Sequence, residues 1–142
     1  MQHLKKIQSC RLTGKNRDRR MEMRKFPERG EIYLVCLDPK IGSEINKTRP
    51  ALIISNDINN QAAQTVTVIP ITSITEKVYP FETLLPSQES GLSKDSKAKC
   101  NQIRTIDKKR LVKSLGKVSV EKLKEIEGSL LIHLGMYFDF NK

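Results

Sequence analysis

The 142-residue chain has no tryptophan, 5% aromatic residues, two histidines and three cysteines. Each scarcity excludes something. With so few rings, a broad stacking platform for single-stranded nucleic acid is disfavoured. His3 lies in a loose N-terminal stretch and His133 beside an apolar helical stripe, so His133 reads as a structural or surface residue and a two-histidine mechanism is not expected. Cys10, Cys36 and Cys100 are odd in number, widely spaced and free of any C-x-x-C pair. They signal neither a disulfide framework nor a zinc site, and a reduced, cytoplasmic protein is expected. Cys36 sits in a strand pattern, where it reads as a small buried hydrophobe. No apolar run is long enough to span a membrane. Gly-rich phosphate cradles, H-E-x-x-H, G-x-S-x-G and paired carboxylates are all missing. No metal and no cofactor are expected.

Basic charge is abundant. The net charge is +10, of which +7 falls in residues 1–25, where nine Lys and Arg oppose Asp18 and Glu22. This arm has too few apolar residues to fold, so residues 1–28 are read as a disordered basic arm ahead of one domain over 29–142. Met21 and Met23 sit just before the folded part. That favours an upstream stretch admitted by a start-codon choice over a phosphate-attracting tail or a targeting segment, which would need an apolar core it lacks.

Five strands are expected after the arm. Glu31 to Leu37 is β-branched and apolar, Arg49 to Ser55 largely apolar, and Thr65 to Thr72 alternating. Phe81 to Leu85 and Lys97 to Ile103 are shorter or weaker. Pro70 restricts the third strand to an edge, a bulge or a strand end. Asn56-Asp57 reads as a turn, and Ser87 to Ser96 as an exposed loop. Five short strands separated by turns suggest a small bent sheet or barrel. The C-terminus reads as a helix capped by Ser119, with Val118 and Leu123 as a staple and Val120, Leu123, Ile126, Leu130, Leu131 and Leu134 on one face.

A polar set stands at the strand ends: Ser43, Glu44, Thr48, Arg49, Thr72, Ser73, Gln102, Arg104 and Thr105. Strand ends present side chains from a rigid base, and an arginine suits a phosphate because it is always charged and offers forked donors. Composition alone leaves open the plainer reading of a surface ion pair for Arg49, a β-former for Thr72 and a turn residue for Ser43.

The segments RGEIYLVCLDPKIGSE, KTRPALIISND, VTVIPITS and CNQIRTIDKKRL together resemble the MazF/PemK family of toxin endoribonucleases over residues 29–138. The resemblance implies a mainly β fold with helices (α+β), a five-stranded SH3-like barrel of the MazF/PemK/CcdB type with a C-terminal helix, assembled as a homodimer. It implies metal-independent, sequence-specific cleavage of single-stranded RNA, and an acidic antitoxin laid across the RNA site. In that family the arginine of the R-P-x-L-x-I segment is catalytic, here Arg49, and the threonine of P-x-T-S is its partner, here Thr72. Ser43 and, more weakly, Glu44 inherit a binding role from the G-S-E loop, and Gln102 an RNA or dimer contact. Thr48 and Ser73, beside the catalytic pair, are placed with the RNA-binding residues. Two alternatives accompany this reading: a toxin of the same fold that inhibits DNA gyrase by binding it, and an inactive homologue that binds only RNA or antitoxin.

Overall fold

A computed structural model describes residues 26–37, 42–43 and 47–136. Seven antiparallel strands form one sheet: β1 (Glu31–Cys36), β2 (Thr48–Ile53), β3 (Thr65–Thr72), β4 (Glu82–Leu85), β5 (Ser96–Lys99), β6 (Arg104–Asp107) and β7 (Leu111–Lys117). Their order is β4-β5-β3-β2-β1-β7, with β6 pairing β3 off that path. The fold is mainly β with a C-terminal helix, as expected, but the sheet is open and carries seven strands in place of the closed five. Part of the difference is one strand counted twice. β5 and β6 both run along the same edge of β3, opposite residues 71–72 and 65–68. A 3₁₀ turn over Cys100–Gln102 breaks them apart.

Pro70 explains that break. The Ile54 N–H donates to the Thr67 carbonyl, so 52 and 69 form a hydrogen-bonded pair while Ala51 and Pro70 do not. The donor that Pro70 lacks therefore falls on the opposite edge, facing β5 and β6. The neighbouring strand leaves the ladder there, which is how a proline is accommodated inside a central strand.

Both faces of the sheet are apolar. Ile32, Leu52, Ile69 and Ile71 join Leu85, Ala98 and Ile126 in one cluster. Tyr33, Val35, Ala51, Ile53, Val66 and Val68 form a second on the other side. Burial on both faces is why β2 reads as a continuous apolar run instead of an alternating one. Cys36 is buried as expected. It is also disulfide-bonded, which the spacing of the cysteines did not signal.

Helix α3 (Val120–His133) covers the first cluster. Ser119 caps it, accepting from the Lys122 N–H at 3.1 Å. Gly135 closes it in the left-handed region, with the Met136 N–H returning to the Leu131 carbonyl. The expected apolar face is only partly inward: Ile126, Leu123 and Leu130 pack on the cluster, whereas Val120 and Leu134 are exposed. Two shorter helices were not expected. α1 (Asp57–Ala62) starts at Asn56, whose side chain accepts from the Asn59 N–H, so the turn signal was a helix cap. α2 (Ser87–Ser90) ends at Gly91, φ 78°.

Gly116 in β7 lets α2 approach. A Cβ there would meet the Ser90 carbonyl oxygen at 2.9 Å, which is backbone and has little room to yield. Gly116→Ala is expected to destabilise the fold by about 1–3 kcal/mol, as overpacking of a tight contact does. Urea unfolding reads it, and an unchanged midpoint would mean that the α2 loop shifts freely.

Candidate active site

The site grows from a second proline. In the β2–β3 register, even-numbered residues of β2 point their N–H toward β3, as Ile54 does. Pro50 occupies such a position and has no N–H, so the next ladder bond cannot form. Pairing stops at Ala51–Pro70. The two strands part beyond it, and continuing the register sets Arg49 opposite Thr72 across the opening. Arg49 stays fixed from its other side, because β2 continues to pair β1 there, Arg49 opposite Val35 and Thr48 opposite Cys36. Thr72 stays fixed through its pairing with Lys97 of β5.

The opening is a cleft of about 230 Å³ lined by Arg49, Pro50, Ile71, Thr72, Ser73, Leu92, Ser93, Lys94 and Ser96. Arg49 and Thr72 share the sheet face turned away from α3, since each is in phase with residues of the second cluster. Both are half-buried. The Thr72 hydroxyl accepts from the Ile74 N–H at 3.2 Å, which holds the oxygen and leaves its proton to point elsewhere. Among the described residues of the lining, Arg49 and Lys94 are the charged ones. Such a cleft attracts anions.

Lys94, Ser93 and Ser96 come from the segment read as a plain exposed loop. Its shape is built: the Asp95 carboxylate accepts from the Ser87 N–H at 2.9 Å, and the Ser96 hydroxyl donates to the Lys94 carbonyl at 3.0 Å. No sequence spacing announces these residues. Only the pairing of β5 with the end of β3 brings them beside Thr72.

The other expected residues are spread out. Ser73 lines the cleft and is exposed. Thr48 neighbours Arg49 on β2 but, by strand alternation, projects to the other face. Ser43 is exposed in the Gly42–Ser43 turn, and Glu44 lies outside the described residues. Gln102 is half-buried in the 3₁₀ turn and is not part of the cleft lining. Arg104 and Thr105 sit on β6, opposite Val68 and Thr67.

Behind the cleft lies an ionic cluster. The Glu82 side chain is fully buried, with Lys97 Nζ at 2.9 Å from Oε1 and Lys99 Nζ at 3.1 Å from Oε2, the latter at ion-pair distance without hydrogen-bond alignment. Burial pushes the Glu82 carboxyl up. The Tyr79 N–H and the two ammonium groups outweigh that and hold it below its ordinary value. Lys97 Nζ also donates to the Lys77 carbonyl, so the carboxylate ties the β3–β4 connection down beside Thr72.

The Cys100 thiol is pushed up to about 11 by burial and by the charge on Glu82, which makes it a poor nucleophile. Among the described residues no group of three or more His, Cys, Asp or Glu could hold a metal ion. Among them, too, no helix is long and apolar enough to cross a membrane.

The chain thus presents a cation-lined cleft at the splayed end of two strands, on an antiparallel sheet backed by a C-terminal helix. Residues 28–134 match the family of PemK-like, MazF-like toxins of type II toxin–antitoxin systems, and the chain belongs to it. It is 44% identical over 114 residues to endoribonuclease MazF9 of Mycobacterium tuberculosis, across 77% of this chain and 97% of that protein. The crystal structure of MazF (Form-I) from Deinococcus radiodurans aligns with a TM-score of 0.68 at 29% identity, covering 78% of this chain and 98% of that one. A MazE–MazF crystal structure (Form-III) from the same organism aligns at 0.63 with 29% identity, covering 79% and 99%.

Proposed function

We propose that this protein is a toxin that cleaves single-stranded RNA at short sequence motifs without a metal, using Arg49 and Thr72. The observation that supports the reading is that Arg49 and Thr72 both line the cleft that opens where the β2–β3 ladder ends. The identity to an endoribonuclease over most of the chain supports the same reaction class.

In this reaction the 2′-oxygen forms a bond to the adjacent phosphorus and the phosphorus–O5′ bond breaks. The 2′-hydroxyl proton leaves and a proton reaches O5′, giving a 2′,3′-cyclic phosphate and a 5′-hydroxyl. Arg49 supplies a fixed cation and forked donors to the negative charge that builds on the phosphorane. Thr72 orients the 2′-hydroxyl or a non-bridging oxygen, its own proton being too tightly held to serve as a base. Lys94 draws the RNA backbone into the cleft. Ser73, Thr48, Ser43, Glu44 and Gln102 belong to the RNA path on either side of it.

The domain over residues 29–142 works as a homodimer in the cytoplasm, with residues 1–28 as a separate basic arm. An acidic antitoxin segment, complementary to the chain's positive charge, covers the cleft and blocks it. The relative crystallised as MazE–MazF supports a partner of this kind.

Incubating the protein with several long RNAs in excess EDTA tests the reading. Discrete cuts bearing cyclic-phosphate and 5′-hydroxyl ends are expected. Intact RNA, across substrates covering all short motifs, would point instead to the gyrase-binding or inactive alternatives.

A further inference from the structure

Four of the seven aromatic residues lie among the described ones, and two of those are stacked at the surface. Tyr79 and Phe81 are parallel, with ring centroids 5.2 Å apart and an interplanar angle of 3°. Tyr79 is 41% exposed. One face of its ring rests on Phe81, and Lys77 Nζ stands over the ring at 4.8 Å from the centroid. The exposed His133 of α3 lies 6.5 Å from Phe81, its ring tilted to it. Packing alone gives a poor account of this arrangement. A tyrosine needed only to cap the core would turn inward, yet neither apolar cluster includes Tyr79.

The connection to the cleft is physical. Residues 73–79 run directly from Thr72, and their far end is held by side chains of β4 and β5. Lys97, directly opposite Thr72 in the β3–β5 ladder, donates to the Lys77 carbonyl, and Glu82 accepts from the Tyr79 N–H at 3.0 Å. A strand that left the cleft past Thr72 and Ser73 and followed this segment would reach a ring backed by a second ring, with a lysine ammonium on it. That combination fits a nucleobase and its phosphate: the base takes the ring face, and Lys77 swings off it to the backbone.

We propose that Tyr79, backed by Phe81 and flanked by Lys77, is a stacking site for a base of single-stranded RNA flanking the position held by Arg49 and Thr72. The inference rests on the RNA-cleaving reading and adds to it a binding subsite outside the reacting pair. Stacking tolerates any base, so the site adds affinity and sets the direction of the strand without reading sequence.

The test is binding of a fluorescent, randomised 2′-O-methyl RNA oligonucleotide, which has no free 2′-hydroxyl and cannot be cut by 2′-attack. Tyr79→Ala and Tyr79→Leu are expected to weaken binding about tenfold, the effect typical of losing one base–ring stack. Tyr79→Phe should bind like the wild type. Lys77→Gln should lower the slope of log affinity against log salt by about 0.7, one phosphate contact to a single strand. Equal affinity for wild type and Tyr79→Ala overturns the proposal, as does recovery by Tyr79→Leu, which would reduce the site to generic apolar surface. Unchanged RNA binding with weakened binding of an acidic peptide also overturns it and assigns the ring to a protein partner. A parallel cleavage reaction on ordinary RNA separates the two ideas: binding that depends on the Tyr79 ring without cleavage would refute the nuclease reading and leave the stacking site standing.

Discussion

Arg49→Ala is expected to lower the rate of RNA cleavage by at least about 10²–10³-fold, the cost typical of removing one donor aimed at developing negative charge. The fold should persist, because Arg49 stands at the outer end of β2, in neither apolar cluster. Arg49→Lys is the more informative companion. It keeps the charge but replaces a planar fork with a point charge on a flexible stem, so a large residual loss would show that geometry matters beyond charge. Single-turnover cleavage at saturating RNA, with circular dichroism on each variant, measures the effect. A folded Arg49→Ala protein that cuts at the wild-type rate would remove Arg49 from the chemistry and with it the proposed role of the cleft.

The second large effect belongs to stability. Glu82→Ala is expected to cost about 3–5 kcal/mol in urea unfolding, because it strands buried Lys97 and removes the partner of Lys99 and of the Tyr79 N–H. The pH dependence has a definite sign. The Glu82 carboxyl is held below its ordinary value in the folded state, so its contribution is fully present above that ordinary value, near 4.5. It is lost as the pH falls through the lower folded value, where the native carboxylate takes up a proton. The stability gap between wild type and Glu82→Gln should therefore be constant near neutrality and narrow in acid. A gap under about 1 kcal/mol at neutral pH would mean that water or a rearranged lysine replaces the carboxylate at little cost. Cleavage should suffer too, since the same carboxylate anchors the segment that leads away from Thr72.

Sequence patterns located much of this architecture. Apolar and β-branched runs marked β1 to β4 within a residue or two, and Ser119 marked the start of α3. What escaped was the stretch from Arg104 to Lys117. β6 and β7 alternate weakly and carry many charges, because each offers only a few side chains to the interior: Ile106, Leu111 and Val112 are buried, while their neighbours face outward or lie in part-covered positions. The site was legible in a different way. Arg49 and Thr72 came from a motif order shared with a family, whereas Ser93, Lys94 and Ser96 depend on a long-range pairing that no local pattern encodes. Gln102 shows the converse, a residue marked by its motif whose 3₁₀ turn lies outside the cleft lining.

The prolines at 50 and 70 have a consequence for how the spacing of the two proposed reacting residues is set. Each deletes one donor, on opposite edges of adjoining strands, and the cleft is the space left by the first. The separation of Arg49 from Thr72 is thus favoured by the backbone itself, which lacks a donor where the ladder ends. Neighbouring apolar residues are free to drift among similar volumes, and the loops among lengths, without closing the gap. On the proposed reading, such a scaffold would hold Arg49 across from Thr72 while its surface changed to suit another RNA motif or another antitoxin.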